Sequence, residues 1–202
     1  MRLAFPARLR ACLTILLLPG VFTSPAAAAD SKGNFSVKGA GAAPCSIYLD
    51  AATKKDQRFF MFAGWMEGML SGINVYQADT FDMVPWQSTD LLALAAAEAC
   101  KRDPKASFHT AVLSVSRSLY NGRLRERSDR VVLGKAPQQV ALYAAVIAQA
   151  QARLVALKLL KEKPTGKMSS ATTAALKAFQ KSKKLPETGL PDQITLYRLL
   201  VN

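Results

Sequence analysis

In the last third of the chain, apolar residues recur at helical spacing between two short turns. Ala175, Leu176 and Phe179 mark one face of a helix that follows the turn Thr165-Gly166-Lys167. Gly166 tolerates the positive φ of such a turn. Ser169 or Ser170 offers a side-chain acceptor to the first N–H groups of the helix. Leu185-Pro186-Glu187-Thr188-Gly189 makes the second turn, and Leu190, Ile194, Leu196, Leu199 and Leu200 supply the apolar contacts of a closing helix. Upstream, Gln138 to Lys163 reads as one long Ala/Leu/Val helix, with Val140, Tyr143, Ala144 and Ile147 set to pack on the N-terminal half.

That N-terminal half is also patterned as helices. Gln57 to about Gln77 is the long central one, with Phe59, Phe62, Met66, Met69, Leu70 and Ile73 broadly on one side. Gly64, Gly68 and Gly72 fall on another side. Each glycine costs a helix about 1 kcal/mol in propensity, so their spacing points to a close packing partner, internal or a second subunit. Asp79 to Trp86 is a loop. Ser88-Thr89-Asp90 caps a helix over Leu91 to Cys100, and Asp103-Pro104 starts another with Phe108, Val112, Val115 and Leu119 on one face. Asn121 to Pro137 lacks an apolar face, carries Arg123, Arg125, Arg127 and Arg130, and reads as a basic linker. The expected fold class is therefore all-α with two helical domains, 45–120 and 138–202, joined by the linker 121–137.

Two segments precede these domains. Arg2, Arg8 and Arg10 form a basic region, Ala11 to Leu18 a short apolar run, and Ala27-Ala28-Ala29 a small-residue cleavage site, so residues 1–29 read as a signal peptide cut before Asp30. The run is too short to span a bilayer, and no other stretch reads as transmembrane. Cys12 lies at the start of the run, whereas a lipid-anchored cysteine would end it. Residues 30–44, rich in Gly, Ala, Ser and Lys, read as a flexible leader. The expected location is the periplasm.

Export changes the meaning of the cysteines. Cys45 and Cys100 remain, and in an oxidising compartment such a pair is most economically a disulfide, two separate buried thiols being the alternative. A metal site is disfavoured by a single histidine, His109, and the lack of a Cys-x-x-Cys. No cofactor motif is present. Charge is uneven. Residues 30–120 carry nine residues of each sign, whereas 151–202 carry ten basic and three acidic ones. Such a field attracts polyanions in a salt-sensitive way. Nucleic acid fits the charge but not the compartment; wall carboxylates and anionic lipid head groups fit both.

Across the last fifty residues or so, the motif residues are Gln151, Leu154 and Leu157, then Gly166, Met168, Thr172, Ala175, Leu176, Phe179 and Gln180, then Leu185, Pro186, Thr188, Gly189 and Thr195. Together they resemble the small three-helix peptidoglycan-binding domain often appended to cell-wall enzymes. Thr165, Ser169 and Lys158 depart from the family pattern at turn positions. The resemblance implies a shallow peptidoglycan groove beside the Gly166 turn and the Thr172–Gln180 helix, with Gly166, Lys167, Thr172, Gln180 and Lys181 as its residues.

Cys45 with Tyr48 and Leu49, the run Trp65 to Asn74, and Ala99 to Pro104 followed by Ser107-Phe108 are similar to small disulfide-tied periplasmic helical proteins. Acid-stress chaperones of the HdeA type and Rap/Tai-type immunity proteins of type VI secretion share this frame. That resemblance implies a non-catalytic, often dimeric binding module, with Trp65, Gly68 and Gly72 as partner-binding residues and either an unknown protein or a second copy of the chain as partner. The best candidate for a wall-hydrolase acid is Glu67, amid Trp65, Met66 and Met69, but it lacks the local pattern of a lysozyme-like enzyme. The expected function is thus a non-enzymatic wall-associated protein. A chaperone or immunity-type role, and a hydrolase using Glu67, are the alternatives.

Overall fold

The computed structural model describes residues 29–201. The signal-peptide reading of 1–29 falls almost wholly outside them. The chain divides into two compact units, Met1–Ser36 and Val37–Asn202. In the described part of the first, the Asp30 carboxylate accepts from the Lys32 and Asn34 N–H groups.

The second unit is mostly helical. Its elements are α1 (Cys45–Lys54), α2 (Gln57–Tyr76), α3 (Thr89–Arg102), α4 (Phe108–Leu119), β1 (Arg130–Lys135), β2 (Gln138–Tyr143), α5 (Ala144–Ala156), α6 (Ser170–Ser182) and α7 (Gln193–Leu200). The caps follow from the sequence. Asp56, Ser88, Ser107, Ser169 and Asp192 each accept a backbone N–H at the start of α2, α3, α4, α6 and α7. Asp103-Pro104 does not start α4. The Asp103 carboxylate instead accepts from the N–H groups of Lys105 and Ala106, making the turn between α3 and α4.

One hydrophobic cluster holds α1 to α4 together. Tyr48, Phe62 and Phe108 pack as a triad with ring centroids 4.4 to 5.2 Å apart, and all three are buried. The Tyr48 hydroxyl donates to the Ala93 carbonyl at 2.7 Å, so its polar end is satisfied. Burial pushes the Tyr48 phenol up to about 12. Cys45 and Cys100 form a disulfide between α1 and α3, with Cα atoms 5.0 Å apart. Backbone bonds from Cys45 N to Ala106 O, Ser46 N to Pro104 O and Phe108 N to Ala43 O strap the start of α1 to the α3–α4 turn.

The stretch expected as a basic linker, and the first turns of the expected long helix, are built differently. β1 and β2 form an antiparallel hairpin in the register Val131↔Leu142 and Leu133↔Val140. These four residues share the inward face, while Val132 is exposed, so the burial follows a period of two and not 3.6. The helix that was expected from Gln138 begins at Ala144 and ends at Ala156. Arg123 is not a linker cation: its side chain is 3% exposed. It stacks 3.7 Å from the Tyr120 ring centroid and donates to the Asp79 and Tyr120 carbonyls and the Thr80 hydroxyl. The small sheet thus qualifies the all-α expectation without displacing the helical character of the chain.

A second hydrophobic cluster forms around α5, α6, α7 and the hairpin. Leu142, Val146, Ile147, Leu154, Leu176, Phe179, Leu196 and Leu199 are its core. Trp86 and Leu124, with Phe81 and Leu91 packed alongside, join it from the N-terminal half. Gln193 reaches the same place: its Nε2 donates to the Trp86 carbonyl and its Oε1 accepts from the Ser88 N–H.

The disulfide closes a loop between residues 55 positions apart, which is worth about 4 kcal/mol in the chain-entropy model. Urea unfolding of the Cys45→Ser, Cys100→Ser double variant is therefore expected to show a stability lower by roughly that amount. An unchanged midpoint would show that the tie contributes nothing.

Candidate functional site

The motif residues of the last sixty positions build two copies of one device. In the first, Gln151 on α5 is buried and bonds the turn that leads to α6. Its Oε1 accepts from Thr165 N at 2.8 Å and Gly166 N at 3.0 Å, and its Nε2 donates to Lys167 O at 2.8 Å and Thr172 Oγ1 at 3.0 Å. In the second, Gln180 on α6 is buried and bonds the turn that leads to α7. Its Oε1 accepts from Gly189 N at 2.8 Å. Its Nε2 lies within hydrogen-bond distance of Thr188 Oγ1, Leu190 O and Thr195 Oγ1, at 2.9, 3.0 and 3.0 Å. Both turns place a glycine at positive φ, +74° at Gly166 and +69° at Gly189. The spacing from each glycine to its threonine is the same.

The chemistry explains why glutamine, glycine and threonine stand where they do. A tight turn between helices leaves N–H and C=O groups that no helix ladder satisfies. A primary amide carries both donors and acceptors, so one buried side chain closes both kinds of orphan. Gly166 is fixed by space as well as by φ: a Cβ there would lie 2.6 Å from the Ala144 carbonyl oxygen. Among the described residues no buried side-chain N or O atom lacks a partner.

The five residues expected to line the groove differ in exposure. Gly166, Thr172 and Gln180 are buried, and the Thr172 and Gln180 side chains are hydrogen-bonded within the turn networks. Lys167 and Lys181 are exposed and remain available. One convergence escaped the sequence reading. Arg153 from α5, Lys183 just after α6 and Arg198 from α7 line a single pocket. They come from three elements at unrelated spacings, so only the packing of α5 to α7 brings them together.

The N-terminal candidates also separate. Trp65 is held internally: its indole N–H donates to the Lys38 carbonyl at 2.8 Å. Its ring also covers Gly41, where a Cβ would meet it at 1.9 Å. That ring thus has a structural role, and it is only partly buried. Gly64, Gly68 and Gly72 face open space, so no internal helix occupies the approach they offer. Glu67 is exposed and accepts a hydrogen bond from the Thr89 hydroxyl, which is not the apolar enclosure that a catalytic carboxylic acid needs. Burial, with Arg117 adding repulsion, holds His109 below its ordinary value, so it is neutral at neutral pH. Among the described residues no group of three or more His, Cys, Asp or Glu is placed to hold a metal ion. Nor is any described helix long and apolar enough to cross a membrane.

Residues 144–199 match the family model described as a putative peptidoglycan binding domain. The match begins at the first residue of α5 and ends within α7, so it covers both glutamine-bonded turns. No curated protein and no solved structure matches the chain. The C-terminal part is thus a helical peptidoglycan-binding-like domain. Such a domain and a disulfide are both features of extracytoplasmic proteins.

Replacing either glutamine by leucine keeps the volume but strands backbone groups. Unsatisfied buried polar groups cost about 1–3 kcal/mol each. Gln151→Leu and Gln180→Leu are each expected to lose roughly 2–4 kcal/mol in urea unfolding. Lys167→Gln and Lys181→Gln, at exposed positions, should stay within about 0.5 kcal/mol of the parent. Equal stabilities for all four variants would contradict the structural role given to the amides.

Proposed function

We propose that the chain is an exported, non-enzymatic protein that binds peptidoglycan through residues 144–199 and a protein partner through its N-terminal half. The observation that carries the wall reading is the family match together with the intact turn architecture beneath it. Charge supports it: exposed Lys167, Lys181, Lys183 and Arg198 belong to the strongly basic segment 151–202. Peptide-stem carboxylates are the complementary charges of the wall. Periplasmic residence follows from this reading and from the disulfide, with residues 1–29 as the export signal.

The partner reading is supported by α2. Phe60, Met61, Val75 and Tyr76 are 68, 55, 73 and 88% exposed, an unusual load of bare apolar surface on one helix. With the open glycines, they give a partner a flat place to lie. A client protein, as for a chaperone or immunity protein, and a second copy of the chain are the two occupants that this surface admits. Catalysis is not part of the proposal, because Glu67 lacks the enclosure the hydrolase alternative requires.

Cosedimentation of the purified chain with isolated sacculi tests the proposal. The chain should pellet with sacculi at low salt, and raising ionic strength from about 0.05 to 0.3 M should weaken retention severalfold, since exposed charges are screened. The sacculi should release no soluble fragments. Absence of retention at low salt would refute wall binding, and release of fragments would refute the non-enzymatic assignment.

A further inference from the structure

The convergence of Arg153, Lys183 and Arg198 goes further than a general basic surface. The pocket they line has a volume of about 300 Å³. Its remaining wall is Leu157, Leu159, Phe179 and Leu199, with Ser182 as the one uncharged polar residue. Leu157 and Leu159 are 41 and 38% exposed, so the apolar part is open to an incoming group. No acidic side chain lines the pocket among the described residues. Two of its cations are oriented by the fold. Arg153 Nε donates to the Leu199 carbonyl at 3.3 Å, and Lys183 Nζ stands 5.8 Å from the Phe179 ring centroid.

The exposed cations Lys183 and Arg198 beside the apolar Leu157, Leu159 and Phe179 select a ligand of mixed character. A guanidinium pairs with a planar carboxylate through parallel N–H donors, and an ammonium adds a point charge without geometric demand. The floor accepts a small aliphatic side chain, and the volume suits one or two amino acid residues. We infer that this pocket binds the carboxylate end of a short peptide ending in a small apolar residue, and that it is where the C-terminal domain takes hold of wall peptide stems. The inference rests on the wall-binding reading and adds to it the site and the chemical group recognised. It also explains why the contact lies away from the Gly166 turn: the polar side chains there are spent on backbone groups.

The test uses the full chain and its Lys183→Gln, Arg198→Gln double variant. Both residues are exposed, so the variant should melt within a degree or two of the parent. Calorimetric titration with a soluble disaccharide-tetrapeptide gives the affinity, and the same muropeptide with its carboxyl groups amidated gives the carboxylate share. Each cation should contribute roughly threefold and the pair about tenfold. Amidation should cost the parent a similar factor and the double variant little more. Equal affinities for parent and variant, or no effect of amidation on the parent, would overturn the assignment. Displacement of the muropeptide by inorganic phosphate at constant ionic strength would make the pocket a phosphate site and overturn it as well. Sacculus cosedimentation of the same two proteins separates the levels. Parent and variant retained equally would sink the pocket and leave wall binding standing. A parent that is not retained would sink the reading on which the pocket rests.

Discussion

A buried primary amide bonded to a turn is the constraint on which the C-terminal domain depends. Three short helices cannot pack around one core unless the chain reverses sharply between them, and sharp reversals strand backbone polar groups. Gln151 and Gln180 resolve that conflict twice with the same side chain, each reaching from a helix into the following turn. Their positions fix where Gly166 and Gly189 must stand, and the threonines Thr172 and Thr195 close the network from the next helix. Leu154, Leu176, Phe179, Leu196 and Leu199 then fill the space so enclosed. The consequence for function is spatial. The side chains of Gln151, Thr172 and Gln180 are spent on the domain's own turns, whereas Lys167, Lys181, Lys183 and Arg198 stay exposed.

The two halves of the chain are coupled by packing as well as by sequence. Trp86 and Leu124 are buried in the cluster built by the C-terminal helices, and Gln193 grips the backbone on either side of Gln87. Arg123 holds the loop around Asp79 against the Tyr120 turn, and the hairpin 130–143 leads directly into α5. Cutting the chain after the hairpin's first strand would therefore strip partners from Phe81, Trp86 and Leu91. Point substitutions on the surface are a cleaner way to separate the functions of the halves than truncation.

Much of the fold was legible in the sequence because its signals are local. Ser88 and Ser169 announced helix starts, the glycines announced turns, and Ala175, Leu176 and Phe179 announced a buried face. The hairpin was not legible because Gln138 to Tyr143 is rich in Ala, Val and Leu and runs into a real helix; its period of two is visible only with Val131 and Leu133 opposite. Thr172 and Gln180 were read as groove residues because the resemblance to the peptidoglycan-binding domain places its groove beside the Gly166 turn, and burial is not visible in one dimension. In three dimensions both are fully buried. The pocket of Arg153, Lys183 and Arg198 was beyond reach for the opposite reason: its members are unremarkable surface cations until α5, α6 and α7 bring them side by side.

Chemical-shift mapping of the isotopically labelled chain during titration with a soluble disaccharide-tetrapeptide tests this account most directly. The account predicts perturbations centred on the amides of Leu157 to Leu159, Ser182, Lys183 and Arg198, with the signals of Thr172 and Gln180 side chains unmoved. Perturbations centred on the Gly166 turn and the Gln180 amide, or spread over α2, would contradict it.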